Sequence, residues 1–169
     1  MKRALSLAVL FAFRAFASDS NEINPSNVAA LMNEYRLEAG LPPLRLDRSL
    51  TAAAEARMTE MAEGEWWSHQ SPEGTSPFVH IPHEYQYAFA AENLAAGFDT
   101  AGLLVASWME SPGHRANILG VNYADCGIAV LEGATTGPAM GKSVVVLFAR
   151  RKVAPVILSE AKNQGRPHE

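Results

Sequence analysis

The hydrophobic pattern of this 169-residue chain changes period once, near residue 125, and that switch limits the possible folds more than any other feature. Upstream the period is helical. Pro25-Ser26-Asn27 offers an N-cap, Val28, Leu31, Met32 and Tyr35 follow on one face, and Gly40 is a stop. A second helix begins after Asp47 or Ser49, carries Leu50, Ala54, Met58 and Met61 on one face, and ends near Gly64. A third begins at Asp99 or Thr100 and runs through Leu103, Leu104 and Trp108 to the Ser111-Pro112 break. Pro112 then fits the first turn of a short fourth helix that ends at Gly120. Downstream, residues 126–131 and 143–149 are β-branched, apolar runs, which read as an antiparallel hairpin with a long connection. Residues 153–158 suggest a further edge strand, since Pro155 argues against a central one. Helices followed by a hairpin predict an α+β domain in which helices pack on a sheet.

Between the second and third helices, residues 65–96 read as mostly irregular and rich in Ser, Pro, His and Gly. So long an irregular stretch inside a compact domain is expected to build a site. It holds His69, His80, His83, Glu84 and Glu92, with Trp66, Trp67, Phe78, Tyr85, Tyr87 and Phe89 expected mainly to pack around the loops. His80-Ile81-Pro82-His83-Glu84 resembles a zinc-binding helix, but Pro82 breaks the geometry that would join its imidazoles, so an ordinary loop is expected.

The N-terminus reads as a secretory signal peptide over residues 1–17: basic Met1-Lys2-Arg3, an apolar run, and Ala15-Phe16-Ala17 for cleavage near Ala17. Ten apolar residues are too few to span a bilayer, so no transmembrane anchor is expected there. The exported chain would carry 11 basic and 18 acidic residues, a balance that excludes nucleic acid as the main partner. Cys126 is the only cysteine, so no internal disulfide forms; among apolar neighbours it is expected to be buried and inert.

Catalytic signatures fail in turn: there is no Gly-x-Ser-x-Gly elbow, no phosphate-binding loop and no His-Glu-x-x-His. Trp108 through Leu119 is different. Its Ser111-Pro112-Gly113-His114-Arg115 core presents a histidine at a bend between two helices.

That segment, with Trp67-Ser68-His69, Ala91-Glu92-Asn93-Leu94-Ala95-Ala96-Gly97, Asn33-Glu34-x-Arg36 and Leu44-x-Leu46-Asp47-x-x-Leu50, resembles the CAP superfamily. This is the SCP-domain family of cysteine-rich secretory, antigen 5 and pathogenesis-related 1 proteins, and the wording is nearest its bacterial branch. The resemblance covers residues 26–150, leaving residues 151–169 as a polar, partly frayed extension. It implies an α-β-α sandwich with a central antiparallel sheet flanked by helices. It also implies a cleft whose ligand-binding residues are His69, Glu92 and His114. Where animal and plant members carry a second glutamate, this chain has Ser111, with Glu110 one residue out of register.

Two imidazoles and a carboxylate suit a divalent metal such as zinc with an open position; the alternative is a hydrogen-bonded cluster in which Glu92 orients a histidine. Asn93 is expected to brace the backbone, and Arg115 to pair with an acidic residue. The function that follows is a secreted binding protein, extracellular or periplasmic and monomeric, taking a metal, a small lipid or a protein or peptide partner. Two alternatives stand beside it: a hydrolase with Glu92 or a histidine as base on water, Ser71 or Ser111, and a structural or interaction protein of the envelope.

Overall fold

Each longer helix starts where a side chain satisfies its free N–H groups. Asn24 Oδ1 accepts from the Asn27 amide (2.9 Å), so the cap lies just ahead of the expected Pro25-Ser26-Asn27 segment and Pro25 is first in helix α1 (Pro25–Glu38). Asp47 Oδ1 accepts from the Ser49 and Leu50 amides (2.9 and 3.1 Å) and opens α2 (Arg48–Glu63). Thr100 Oγ1 accepts from Leu103 (3.2 Å) and opens α3 (Ala101–Glu110). Ser111 is extended, as a residue before proline should be, and separates α3 from α4 (Pro112–Ile118). This computed structural model describes residues 21–133 and 141–152. The expected signal peptide, the edge strand at 153–158 and the polar tail lie outside the described residues.

Four strands form one sheet in the order β1-β3-β4-β2: β1 (Arg45–Leu46), β2 (Tyr87–Phe98), β3 (Asp125–Leu131) and β4 (Lys142–Arg151). The expected hairpin is β3–β4, antiparallel with Ile128 opposite Val146. Two-residue β1 runs parallel to β3, so the sheet is mixed at that edge.

Strand β2 corrects the sequence reading, which left residues 65–96 irregular. Its run Tyr87-Ala88-Phe89-Ala90-Ala91-Glu92-Asn93-Leu94-Ala95-Ala96 is alanine-rich, with two polar residues at its centre. Local propensity for a strand is therefore weak. Pairing along β4, with Glu92 opposite Leu147, overrides it.

The sheet separates two apolar layers, giving the expected α-β-α sandwich. On one face α1, α3 and α4 bury Val28, Met32, Leu104, Trp108 and Ile118 against Cys126, Ile128, Val146 and Phe148. On the other face α2 buries Leu50, Ala54, Met58 and Met61 against Ala129, Val145, Leu147 and Ala149. Gly127 lets α2 lie directly on β3: a Cβ there would collide with the backbone of Leu50 and Thr51. Cys126 is a free, buried thiol, and burial pushes its pKa up to about 12, which keeps it protonated and unreactive.

Candidate functional site

Strand β2 lies at an edge of the sheet, and its alternation sends Glu92 and Asn93 to opposite faces. Asn93 is fully buried and braces α4, as expected. Its Nδ2 donates to the His114 carbonyl (3.2 Å), and its Oδ1 accepts from Asn117 Nδ2 (2.8 Å). Asn117 also donates to the Glu92 carbonyl (3.2 Å), so α4 is stitched to the strand at two consecutive residues. Trp108 Nε1 donates to the Leu94 carbonyl (3.0 Å), and its ring centroid lies 6.3 Å from that of His114. The far end of α4 is held by buried Arg36, whose Nη1 donates to the Ile118 and Gly120 carbonyls (2.7 and 3.0 Å). The motif residues Arg36, Asn93 and Trp108 therefore all act on one short helix. That helix carries His114.

Glu92 points the other way, toward α2, with a side chain 2% exposed. Its Oε1 lies 2.8 Å from His69 Nδ1, and its Oε2 accepts from Arg57 Nε at 3.2 Å. A carboxylate held by a guanidinium offers only acceptors, so His69 donates from Nδ1 and keeps Nε2 as a lone-pair nitrogen when neutral. The His69 side chain is 58% exposed, and its ring centroid lies 6.3 Å from that of half-buried His114. His114 has its pKa below the ordinary imidazole value, first through burial and then through the nearby His69 charge. The three expected residues thus converge from the loop after α2, from β2 and from α4.

Sequence reasoning missed Arg57, the residue that joins the cluster to α2. It is fully buried, and its guanidinium also donates to Glu60 Oε2 and to the Ser68 and His69 carbonyls, each at 3.0 Å. The signal was present. Arg57 falls at helical spacing on the buried stripe of Leu50, Ala54, Met58 and Met61, where a charge must have partners. His80 belongs to the same network through Nε2, 2.9 Å from Glu60 Oε2.

His83 and Glu84 are exposed in the short 3-10 turn His83–Tyr85, and no zinc-binding helix forms there. Trp66, Trp67, Phe78 and Tyr85 pack against the α2 core, whereas Tyr87 and Phe89 stay 36% and 47% exposed. Arg115 is exposed and makes no ion pair among the described residues, contrary to expectation. Ser71 Oγ accepts from the Thr75 amide (3.0 Å), and Glu110 is exposed at the end of α3.

Arranged this way, His69, Glu92 and His114 do not form the three-ligand set that a divalent ion would need. Both Glu92 oxygens are engaged, one of them by a cation. Among the described residues no group of three His, Cys, Asp or Glu side chains is placed to hold a metal ion.

A three-layer sandwich with a histidine–glutamate cluster at the edge of its sheet defines the class: an SCP-type domain. The CAP family model, that of the cysteine-rich secretory protein family, matches residues 29–147, and the chain belongs to that family. It is 37% identical over 116 residues to YkwD of Bacillus subtilis (strain 168), spanning 64% of this chain and 45% of that protein. It is 28% identical over 101 residues to the B. subtilis membrane protein YlbC, spanning 59% of this chain and 29% of that protein. The match thus covers less than half the length of either relative. Among solved structures, an outer surface protein of Borrelia burgdorferi superposes with a TM-score of 0.64 at 26% identity, covering 75% of this chain and 92% of that one. An extracellular SCP-domain protein of Bacillus anthracis str. Ames shares the fold, with a TM-score of 0.62 at 23% identity, covering 75% and 40%.

Proposed function

We propose that the protein is an exported binding module whose ligand seats at the His69–Glu92–His114 cluster, without turnover. The convergence of three chain-distant side chains carries this reading, with one imidazole exposed and its carboxylate partner buried. Such an arrangement fixes the direction of a lone pair and leaves it open to a ligand. No hydroxyl or thiol among the described residues is hydrogen-bonded to either imidazole, so no preformed nucleophile–base pair supports a covalent reaction. Export is supported by the surface and extracellular descriptions of the similar structures. Among the described residues no helix is long and apolar enough to cross a membrane.

A small-ligand panel of lipids, peptides and saccharides, followed by NMR on the labelled protein, tests the binding. Shifts centred on His69, His114 and Asn93 that vanish in His114→Ala are expected. Saturable binding unaffected by that substitution would place the ligand elsewhere.

A second reading draws support from the His69–Glu92 pair, which has the form of a base and its orienting acid. In it His69 Nε2 takes a proton from water attacking a peptide, ester or glycoside. Turnover by the wild type that collapses in Glu92→Gln would establish hydrolysis and displace the first reading.

A further inference from the structure

Arg57 is the most heavily engaged side chain of the site, and the motifs assign it nothing. A guanidinium taken fully out of water is tolerated only with its charge matched and its N–H groups paired. Arg57 meets both needs. It reaches Glu92 Oε2 through Nε, Glu60 Oε2 through Nη1, and the Ser68 and His69 carbonyls through Nη2. The Trp66 ring closes one face, 4.6 Å from its central carbon. Two consequences follow from that geometry. The backbone carrying His69 is clamped by the same group that faces Glu92, so ring and carboxylate are set relative to one another. The Glu92 charge is also matched inside the fold, by a cation that cannot dissociate.

A divalent ion in such a cleft would do the same two things: neutralise the glutamate and fix the imidazoles around itself. Here the positive charge is already in place. An ion that took Glu92 as its third ligand would have to ligate a carboxylate whose oxygens are both committed, Oε1 to His69 Nδ1 and Oε2 to the Nε of a buried guanidinium at 3.2 Å. Repulsion between that ion and the buried guanidinium, beside a carboxylate only 2% exposed, opposes this strongly.

We propose that Arg57 is the resident cation of this cleft: it takes the place of a metal beside Glu92, so the cluster is metal-independent and presents His69 Nε2 to a ligand bearing hydrogen-bond donors. Arg57 is a positioning residue here, acting through Glu92 and the residue 68–69 backbone. The ligand class, a hydroxyl- or N–H-bearing molecule, rests on the binding reading above; the metal-independence does not.

The test uses the full chain without an affinity tag. Zinc chloride is titrated by calorimetry into wild type, Arg57→Met and the Arg57→Met, His69→Ala double variant. The wild type is expected to show no saturable heat. Arg57→Met is expected to gain one zinc site per chain, and the double variant to lose it. Saturable zinc binding by the wild type that disappears in His69→Ala overturns the proposal. So does a folded Arg57→Met that binds no zinc, since something other than Arg57 would then keep the metal out. Should Arg57→Met fail to fold, the His69 ring nitrogens of the wild type decide the matter by 15N NMR. A protonated Nδ1 and bare Nε2, unmoved by added zinc, are expected; a protonated Nε2 with bare Nδ1 overturns the proposal. None of these measurements requires the organic ligand to be known, so failure of the binding reading stays distinguishable.

Discussion

Tyr85 donates its hydroxyl to Asp125 Oδ2 at 2.7 Å, joining two buried side chains 40 residues apart. Asp125 Oδ1 accepts from Arg45 Nε at 2.9 Å. Arg151 lies over the Tyr85 ring, 3.9 Å from its centroid, and reaches Asp47 Oδ2 at 3.0 Å. Asp47 is also the N-cap of α2. One contact set therefore fastens the end of the long loop to β1, β3, β4 and the start of α2. The beginning of the same loop carries His69. Burial, followed by the Asp125 hydrogen bond and charge, raises the Tyr85 pKa, which keeps the hydroxyl a donor.

Replacing Tyr85 by Phe removes this donor and leaves a buried carboxylate oxygen short of a partner. A loss of about 1–3 kcal/mol is expected, read as a lower urea midpoint with an unchanged slope. An unchanged midpoint would show that Arg45 alone satisfies Asp125.

Gly127→Ala should cost about 3 kcal/mol, because the new methyl meets the α2 backbone and not a movable side chain. Thermal unfolding checks it. Wild-type stability in that variant would mean that α2 does not rest on β3 as described.

Arg36→Met strips the donors from the Pro42, Ile118, Gly120 and Tyr123 carbonyls, all served by one buried guanidinium. A loss of about 3 kcal/mol or more is expected, with faster amide hydrogen exchange in α4. Exchange in α4 that matches wild type would remove Arg36 from the support of His114.

Acid should destabilise the fold in two steps of the same sign. His114 has a folded pKa below its ordinary 6.5, so the unfolded chain binds the proton first. Its contribution is complete above 6.5 and is lost as pH falls through the folded value. The carboxyl of Glu60 is held below its ordinary 4.5, chiefly by the His80 hydrogen bond and further by Arg57, with burial opposing. That contribution is present above 4.5 and disappears at lower pH still. Urea midpoints across the acid range should fall monotonically, and His80→Ala should remove part of the lower step.

Residues that announce themselves by local chemistry were legible in the sequence. Asp47 and Thr100 cap helices through their own side chains, and the β-branched 143–149 run can be little but a strand. The convergence of His69, Glu92 and His114 was legible only through the family motifs, since nothing local ties three segments together. Strand β2 was hidden because its alanines gain their strand state from β4, a partner about fifty residues away. Arg57 was hidden for a related reason. Its partners are a strand glutamate and two loop carbonyls, and helical periodicity alone records only that a charge interrupts an apolar stripe.

The convergence itself is tested most directly by following the His114 ring through a pH titration by NMR, in wild type and in His69→Ala. With the two rings 6.3 Å apart, the wild-type His114 should titrate below the ordinary imidazole value, and its pKa should rise when His69 is removed. Superimposable His114 titration curves in the two proteins would contradict the account, because the two imidazoles would then not share a site.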